Sequence, residues 1–232
     1  MDILSAGRGG PHVFVADLST PTLNDDDRHH LGRVLRLRDG DDLTLGDGAG
    51  RWRGAVYRVG HDPEPVGDVV AVPPSEPSVA VGFALIKGGR PEMVVQKLTE
   101  LGVDRILPLS AGRSVVQWDE AKATTQVERF RRVAREAAMQ SRRAWLPTVE
   151  EVASARDFQP VAGVVLAQPG GGPIDGSVRV LLVGPEGGWT DEELIGHPTV
   201  GLGPTVLRAE TAAISAGTLL TALRDGRVAP AG

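Results

Sequence analysis

The stretch VLLVGPEGGWTDEE (180–193), followed by VGLGPTVLRAETAAISA (200–216), decides how this chain folds. Each segment opens on a short apolar run with the character of a buried strand, passes through a Gly/Pro-rich turn and enters a helical pattern. Thr190 followed by Glu193 reads as a capping box that starts a helix after the first turn. Gly184, Gly187, Gly188, Gly201 and Gly203 permit backbone conformations and ligand approaches that a Cβ would forbid. Two such turns can line one pocket with exposed N–H and C=O groups, the groups a flat ligand such as an adenine needs.

Working back from these turns, strand and helix alternate. SVAVGFALI (78–86) is a continuous apolar run suited to a strand buried on both faces. RPEMVVQKLTELG (90–102) reads as a helix with Pro91 in its first turn and Gly102 as its stop. VDRILPLS (103–110), VAGVVLAQ (161–168), VRVLLVG (178–184) and TVGLG (199–203) read as further strands. A long helix spans 119–143 with Val127, Phe130, Val133, Ala134 and Ala137 on one face, and a small-residue-rich helix spans 211–223. The alternation predicts an α/β layer structure with a parallel sheet.

Upstream the pattern changes. PHVFVADL (11–18) is a strand, HHLGRVLRL (29–37) is a short helix or strand, and 41–60 reads as a hairpin turning at Asp47-Gly48. VPPSEPS (72–78) carries three Pro in seven residues and makes a linker rather than an element. The expected organisation is a β-rich domain over 1–72, a linker over 73–78 and an α/β domain over 79–232.

With 232 residues and 41% apolar content the chain can bury a core. It has no Cys, which excludes disulfides and thiolate chemistry. Its five His show no metal-ligand spacing, so no metal is expected. No signal segment or membrane-length apolar run is evident, which points to a cytoplasmic protein without a membrane partner. The net charge of -5 does not suggest nucleic-acid binding, yet the charge is uneven. Seven Arg fall between 28 and 58 against four Asp, and seven basic residues fall between 122 and 143 against Glu128 and Glu136.

Familiar nucleotide signatures are absent: GLGPTV lacks the third glycine of a dinucleotide fingerprint, and neither a GxxxxGK[ST] loop nor a GxSxG elbow occurs. From physics alone the sequence supports a ligand cleft at the carboxyl ends of parallel strands. The motifs GPEGGWTDEE (184–193) and LGPTVLRAETA (202–212), however, resemble the two C-terminal motifs of SPOUT-class RNA methyltransferases. More closely, the chain is similar to the bacterial small-subunit ribosomal RNA uracil-N3 methyltransferase family. HHLGRVLRLRDGDD with GDGAG (29–50), KGGRPEMVVQKLTELGV (87–103), LPLSAGRSVV (107–116) and REAAMQSRRAWLP (135–147) match its remaining segments in order. Departures are Trp189 where Phe is commoner, Arg142-Arg143 where Gly-Arg is usual, and a Gly-rich loop at 170–172.

The resemblance implies a PUA-like RNA-binding barrel at the N-terminus and a SPOUT domain with a trefoil knot, in a homodimer with each active site near the subunit interface. It implies S-adenosylmethionine as cofactor and 16S ribosomal RNA of the small subunit as partner. The cofactor would lie on Leu166, on Val183, Gly184, Glu186, Gly187 and Gly188 of the first turn, and on Leu202, Gly203, Leu207, Arg208 and Ala209 of the second. RNA would be met by Arg33 and Arg36 in the barrel and by Arg90, Arg113, Arg142 and Arg143. Methylating uracil N3 calls for a base and a cation, for which Glu210 and Arg208 are the candidates; the alternative for Glu210 is that it only favours its helix N-terminus. Two other functions remain open: 2′-O-ribose methylation, and a non-catalytic RNA-binding ribosome-assembly factor.

Overall fold

The structure, a computed structural model, describes residues 10–87 and 90–229. Gly88 and Gly89 of the KGGRP segment, and the first nine residues of the expected N-terminal domain, lie outside the described residues. Two compact units are present: Met1–Pro74 with Arg135–Leu146, and Ser75–Ala134 with Pro147–Gly232.

The first unit is a four-stranded sheet in the order β1 (His12–Phe14), β2 (Asp42–Gly46), β3 (Arg51–Val56), β4 (Glu64–Ala71). The β2–β3 hairpin turns where Asp47-Gly48 predicts, and β1 joins β2 in parallel. HHLGRVLRL resolves into the end of α1 (Asp25–His29) and a π-helical turn over His30–Val34. Asn24 caps α1 by accepting from the Asp27 N–H at 2.7 Å, and three Asp in the first turn suit the positive helix end. Leu31, Leu43, Leu45 and Ala55 are fully buried and form the core. β4 is not legible in the sequence: Pro65 and Gly67 argue against a strand, but Pro65 is tolerated because β4 lies at the sheet edge, and Gly67, with φ +74°, sits where the β3–β4 register shifts.

Residues 135–146 complete this unit. Arg135 grips the buried Asp27 carboxylate with both Nη atoms, at 2.9 and 2.6 Å, and donates to the Phe14 carbonyl at 3.0 Å. The hairpin turn seats the 144–146 strip, with Gly50 N–H on the Ala144 carbonyl and Leu146 N–H on the Gly48 carbonyl. A Cβ at Gly50 would stand 2.5 Å from the Trp145 ring, whose Nε1 donates to the Val72 carbonyl at 2.9 Å.

Buried beside this strip, His12 is 2% exposed, with Nδ1 2.9 Å from Thr44 Oγ1. Burial, and after it the Arg142 guanidinium, pushes His12 down from 6.5 to about 4. Above pH 6.5 the ring is neutral folded and unfolded alike. Below it the unfolded chain takes up a proton that the fold refuses, so stability falls with pH until about pH 4, by about 3 kcal/mol in total. Urea unfolding at pH 7 and pH 4.5 should therefore show a steeper loss for the native protein than for His12→Gln. Equal losses would show that His12 is not the group responsible.

The second unit is built on seven parallel strands: β5 (Ala80–Ala84), β6 (Arg105–Ser110), β7 (Thr148–Val149), β8 (Ala153–Ser154), β9 (Val164–Gly172), β10 (Val180–Val183) and β11 (Thr199–Val200). The order is β11-β9-β10-β5-β6-β7, with β8 also on β6. Val81, Phe83, Leu181 and Val183 face one core with α2 (Arg90–Glu100), the first part of α3 (Glu120–Gln140) and α5 (Ala209–Arg224). Ala80, Ala84 and Leu182 face the other, with Trp189. Alternate residues of one strand thus fill two cores, which is why these strands read as unbroken apolar runs. The small-residue face of α5 packs inside the chain: a Cβ on Gly217 would stand 2.6 Å from Leu98 of α2.

Candidate functional site

The glycine-rich turns after β10 and β11 do converge. They border a cleft of about 660 Å³, counting its open mouth, beyond the carboxyl end of β10 and beside the middle of β9. Ala167, Gln168 and Pro169 form one wall; Val183, Gly184, Pro185, Glu186, Gly188 and Trp189 form another; Leu202, Gly203, Thr205, Val206 and Leu207 form the third, with Ala209 and Ala212 of α5 at the base. Apolar side chains dominate, and backbone groups, Gln168, Glu186 and Thr205 supply the polar contacts, a composition suited to a flat ring carrying a polar extension.

Local chemistry explains why the walls hold their shape. Trp189, 3% exposed, donates from Nε1 to the Ala167 carbonyl at 3.0 Å and so ties the first turn to the middle of β9. The predicted capping box forms at α4 (Asp191–Leu194), where Thr190 and Glu193 exchange hydrogen bonds of 2.8 and 3.3 Å. Gly203 has φ +154°, and a Cβ there would meet nothing within 4 Å, so this position opens on free space.

A carboxylate stands at the first turn of α5. Glu210 is 9% exposed; Oε1 lies 3.6 Å from Arg90 Nη1, and the buried Oε2 has no hydrogen-bond partner among the described residues. In the first turn of α2, Glu92 pairs with Arg129 Nε at 3.1 Å and also leaves a buried oxygen unpartnered among the described residues. An orphaned buried carboxylate oxygen is unfavourable unless a ligand or proton satisfies it.

Comparison with known proteins bears on this geometry. Residues 73–221 match the family model described as an RNA methyltransferase domain, and residues 23–60 match an RNA methyltransferase PUA domain. The chain is 38% identical to the ribosomal RNA small subunit methyltransferase E of Mycobacterium bovis, covering 81% of this chain and 80% of the relative. It belongs to the ribosomal RNA small subunit methyltransferase E family. Among solved members and neighbours, a methyltransferase from Legionella pneumophila in complex with bound S-adenosylmethionine is 29% identical with a TM-score of 0.79, covering 91% of this chain and 96% of that one. The Neisseria gonorrhoeae ribosomal RNA small subunit methyltransferase E, bound to S-adenosylmethionine, is 25% identical with a TM-score of 0.77, covering 92% and 97%.

In this member of the methyltransferase E family, the cleft gathers Val183, Gly184, Glu186, Gly188, Leu202, Gly203, Leu207 and Ala209 of the expected cofactor residues. Leu166, 2% exposed, lies in the core beneath the wall rather than on it. Gly187 does not line the cleft either: a Cβ there would meet Arg113 Cβ at 3.1 Å. Arg208 occupies the N-cap position of α5, exposed, with no capping bond from its side chain.

Of the expected RNA contacts, Arg33 and Arg36 are exposed on the N-terminal unit, and Arg36 has φ +56°. Arg113 is exposed, with Nη1 3.3 Å from the Gly187 carbonyl. Arg142 and Arg143 are half-buried, and Arg142 donates to the Gly10 carbonyl, so a phosphate would have to compete for that guanidinium. Arg90 is exposed as well, and its Nη1 stands 3.6 Å from Glu210 Oε1. Sequence reading missed Ala167, Gln168, Pro169, Pro185, Trp189, Thr205, Val206 and Ala212 as cleft residues. The polar residue closing the apolar run VAGVVLAQ was the signal for Gln168. Among the described residues, no group of His, Asp or Glu is placed to hold a metal, and no helix is long and apolar enough to cross a membrane.

Proposed function

We propose that this chain methylates N3 of a uridine in the 16S ribosomal RNA of the small subunit, with S-adenosylmethionine as donor. The observation that carries the reading is the cleft between the two glycine-rich turns at the carboxyl edge of the parallel sheet, in a chain of the methyltransferase E family. The residues fit the cofactor: Val183, Leu202 and Leu207 offer apolar faces to a purine, the turn backbones offer edge contacts, and the space at Gly203 leaves room for a bulky ligand. When bound, S-adenosylmethionine supplies a methyl group already activated as a sulfonium.

The protein's own task is then to hold uracil in line and to manage the N3 proton. Glu210 has the features of the base, a nearly buried carboxylate whose Oε2 lacks a partner while Oε1 faces Arg90. Arg208, exposed at the lip of α5, and Arg90 are the cations placed to balance charge spreading onto the uracil oxygens. Arg33, Arg36 and Arg113 are the exposed RNA contacts, with Arg142 and Arg143 contributing once the Gly10 bond exchanges for phosphate. The proposal includes a cytoplasmic homodimer with a knotted catalytic domain. The dimer and the knot rest on family resemblance; on the small-residue face of α5, Gly217 packs against Leu98 of α2 in the same chain.

Nucleoside mass spectrometry of small-subunit ribosomal RNA from cells with and without this gene tests the reaction. The expected result is loss of N3-methyluridine. Loss of a 2′-O-methylated nucleoside instead, or no change in any nucleoside, would overturn it.

A further inference from the structure

Glu193 is 4% exposed and sits one turn into α4, away from the cleft lining. Its carboxylate joins two loops that are far apart in sequence. Oε2 accepts the Thr190 N–H at 2.8 Å, holding the cofactor turn, and Oε1 accepts the Gly112 N–H at 2.8 Å, holding the loop after β6. That loop carries Arg113, which reaches back to the Gly187 carbonyl at 3.3 Å. It also carries Ser114, whose hydroxyl is buried and has no partner among the described residues.

We propose that Glu193 is a positioning residue that sets the Arg113 loop against the cofactor turn, and so fixes where RNA is held relative to the methyl donor. This rests on the methyltransferase reading above. An ordinary capping box needs only the bond to Thr190. The second oxygen, spent on a backbone N–H 81 residues away in sequence, is what a cap does not require. A buried carboxylate with two N–H donors is strongly held, and an amide in its place offers one acceptor only. The local Thr190 contact closes a three-residue loop and survives; the long-range Gly112 contact is lost.

The test uses the full-length protein and small ribosomal subunits from cells lacking this gene. Glu193→Gln should fold, as judged by circular dichroism and melting. It should raise the KM for the subunit about tenfold, with the S-adenosylmethionine KM changed less than about threefold. Arg113→Ala should raise the subunit KM about tenfold in the native background but less than about twofold on top of Glu193→Gln, because the arginine is already misplaced. A merely structural Glu193 would give additive effects, with both KM values and kcat moving together. Additivity overturns the proposal, as does an unchanged subunit KM in either single variant. The product made by the native protein is read independently by mass spectrometry, so failure here is distinguishable from failure of the methyltransferase reading.

Discussion

Gly203→Val should lower S-adenosylmethionine affinity at least about a hundredfold while leaving a folded protein. Two effects act together at this position. The φ of +154° is one that a β-branched residue adopts only with strain, of order 1–3 kcal/mol. The new side chain would also add bulk at a residue that lines the cleft, in open space where a Cβ meets no protein atom within 4 Å. The absence of neighbours means that no core packing is disturbed, so the loss falls on the ligand. Gly187→Val is the instructive contrast. Its side chain would press on Arg113 at 3.1 Å, so it should raise the KM for RNA more than it weakens cofactor binding. Isothermal titration of both variants checks the pair, and near-native affinity in a folded Gly203→Val protein would remove Gly203 from the cofactor site.

The second large effect concerns the reaction itself. Glu210→Gln preserves size and hydrogen bonding but takes no proton, and should slow single-turnover methylation by about 10²–10⁴-fold at neutral pH. The loss should be partly rescued towards pH 9.5, where solvent deprotonates N3 unaided. Arg208→Ala should slow the step by about 10²–10³-fold at every accessible pH, because the developing uracil anion loses a cation whatever removes its proton. A Glu210→Gln protein with near-native turnover at neutral pH would exclude the base role. Glu210 would then serve through its ion pair with Arg90, 3.6 Å away, and Arg90→Ala should reproduce whatever defect remains.

Much of the catalytic unit was legible because its signals are local. Unbroken apolar runs mark strands covered on both faces, and Thr190 with Glu193 marks a helix start that the structure forms with both hydrogen bonds. The Gly/Pro turns marked the cleft for a similar reason, since a backbone that must approach a ligand has few residue types to choose from. Three things were not legible, each because its cause lies far away in sequence. β4 looks like a loop, since Pro65 is admissible only at a sheet edge and Gly67 only where the pairing with β3 shifts register. Gly187 looks like a cofactor contact, and only the fold brings Arg113 against it. Glu193 looks like a cap, and nothing in its own segment announces Gly112 as its second partner.

The strip at 135–146 has a consequence for the order in which this protein is made. Arg135, Trp145 and the carbonyl of Ala144 are parts of the N-terminal unit, yet they are translated after the linker and after β5, α2 and β6. A nascent chain that has reached Pro74 holds all four strands of the first sheet, but its Asp27 carboxylate lacks the guanidinium that neutralises it and its hairpin turn lacks the tryptophan laid across it. The ribosome must therefore read on to Leu146 before the first unit is whole. By then the opening strands of the catalytic sheet have emerged, so the two units mature together, and a gene cut at the proline-rich linker yields an incomplete first half rather than a free-standing module.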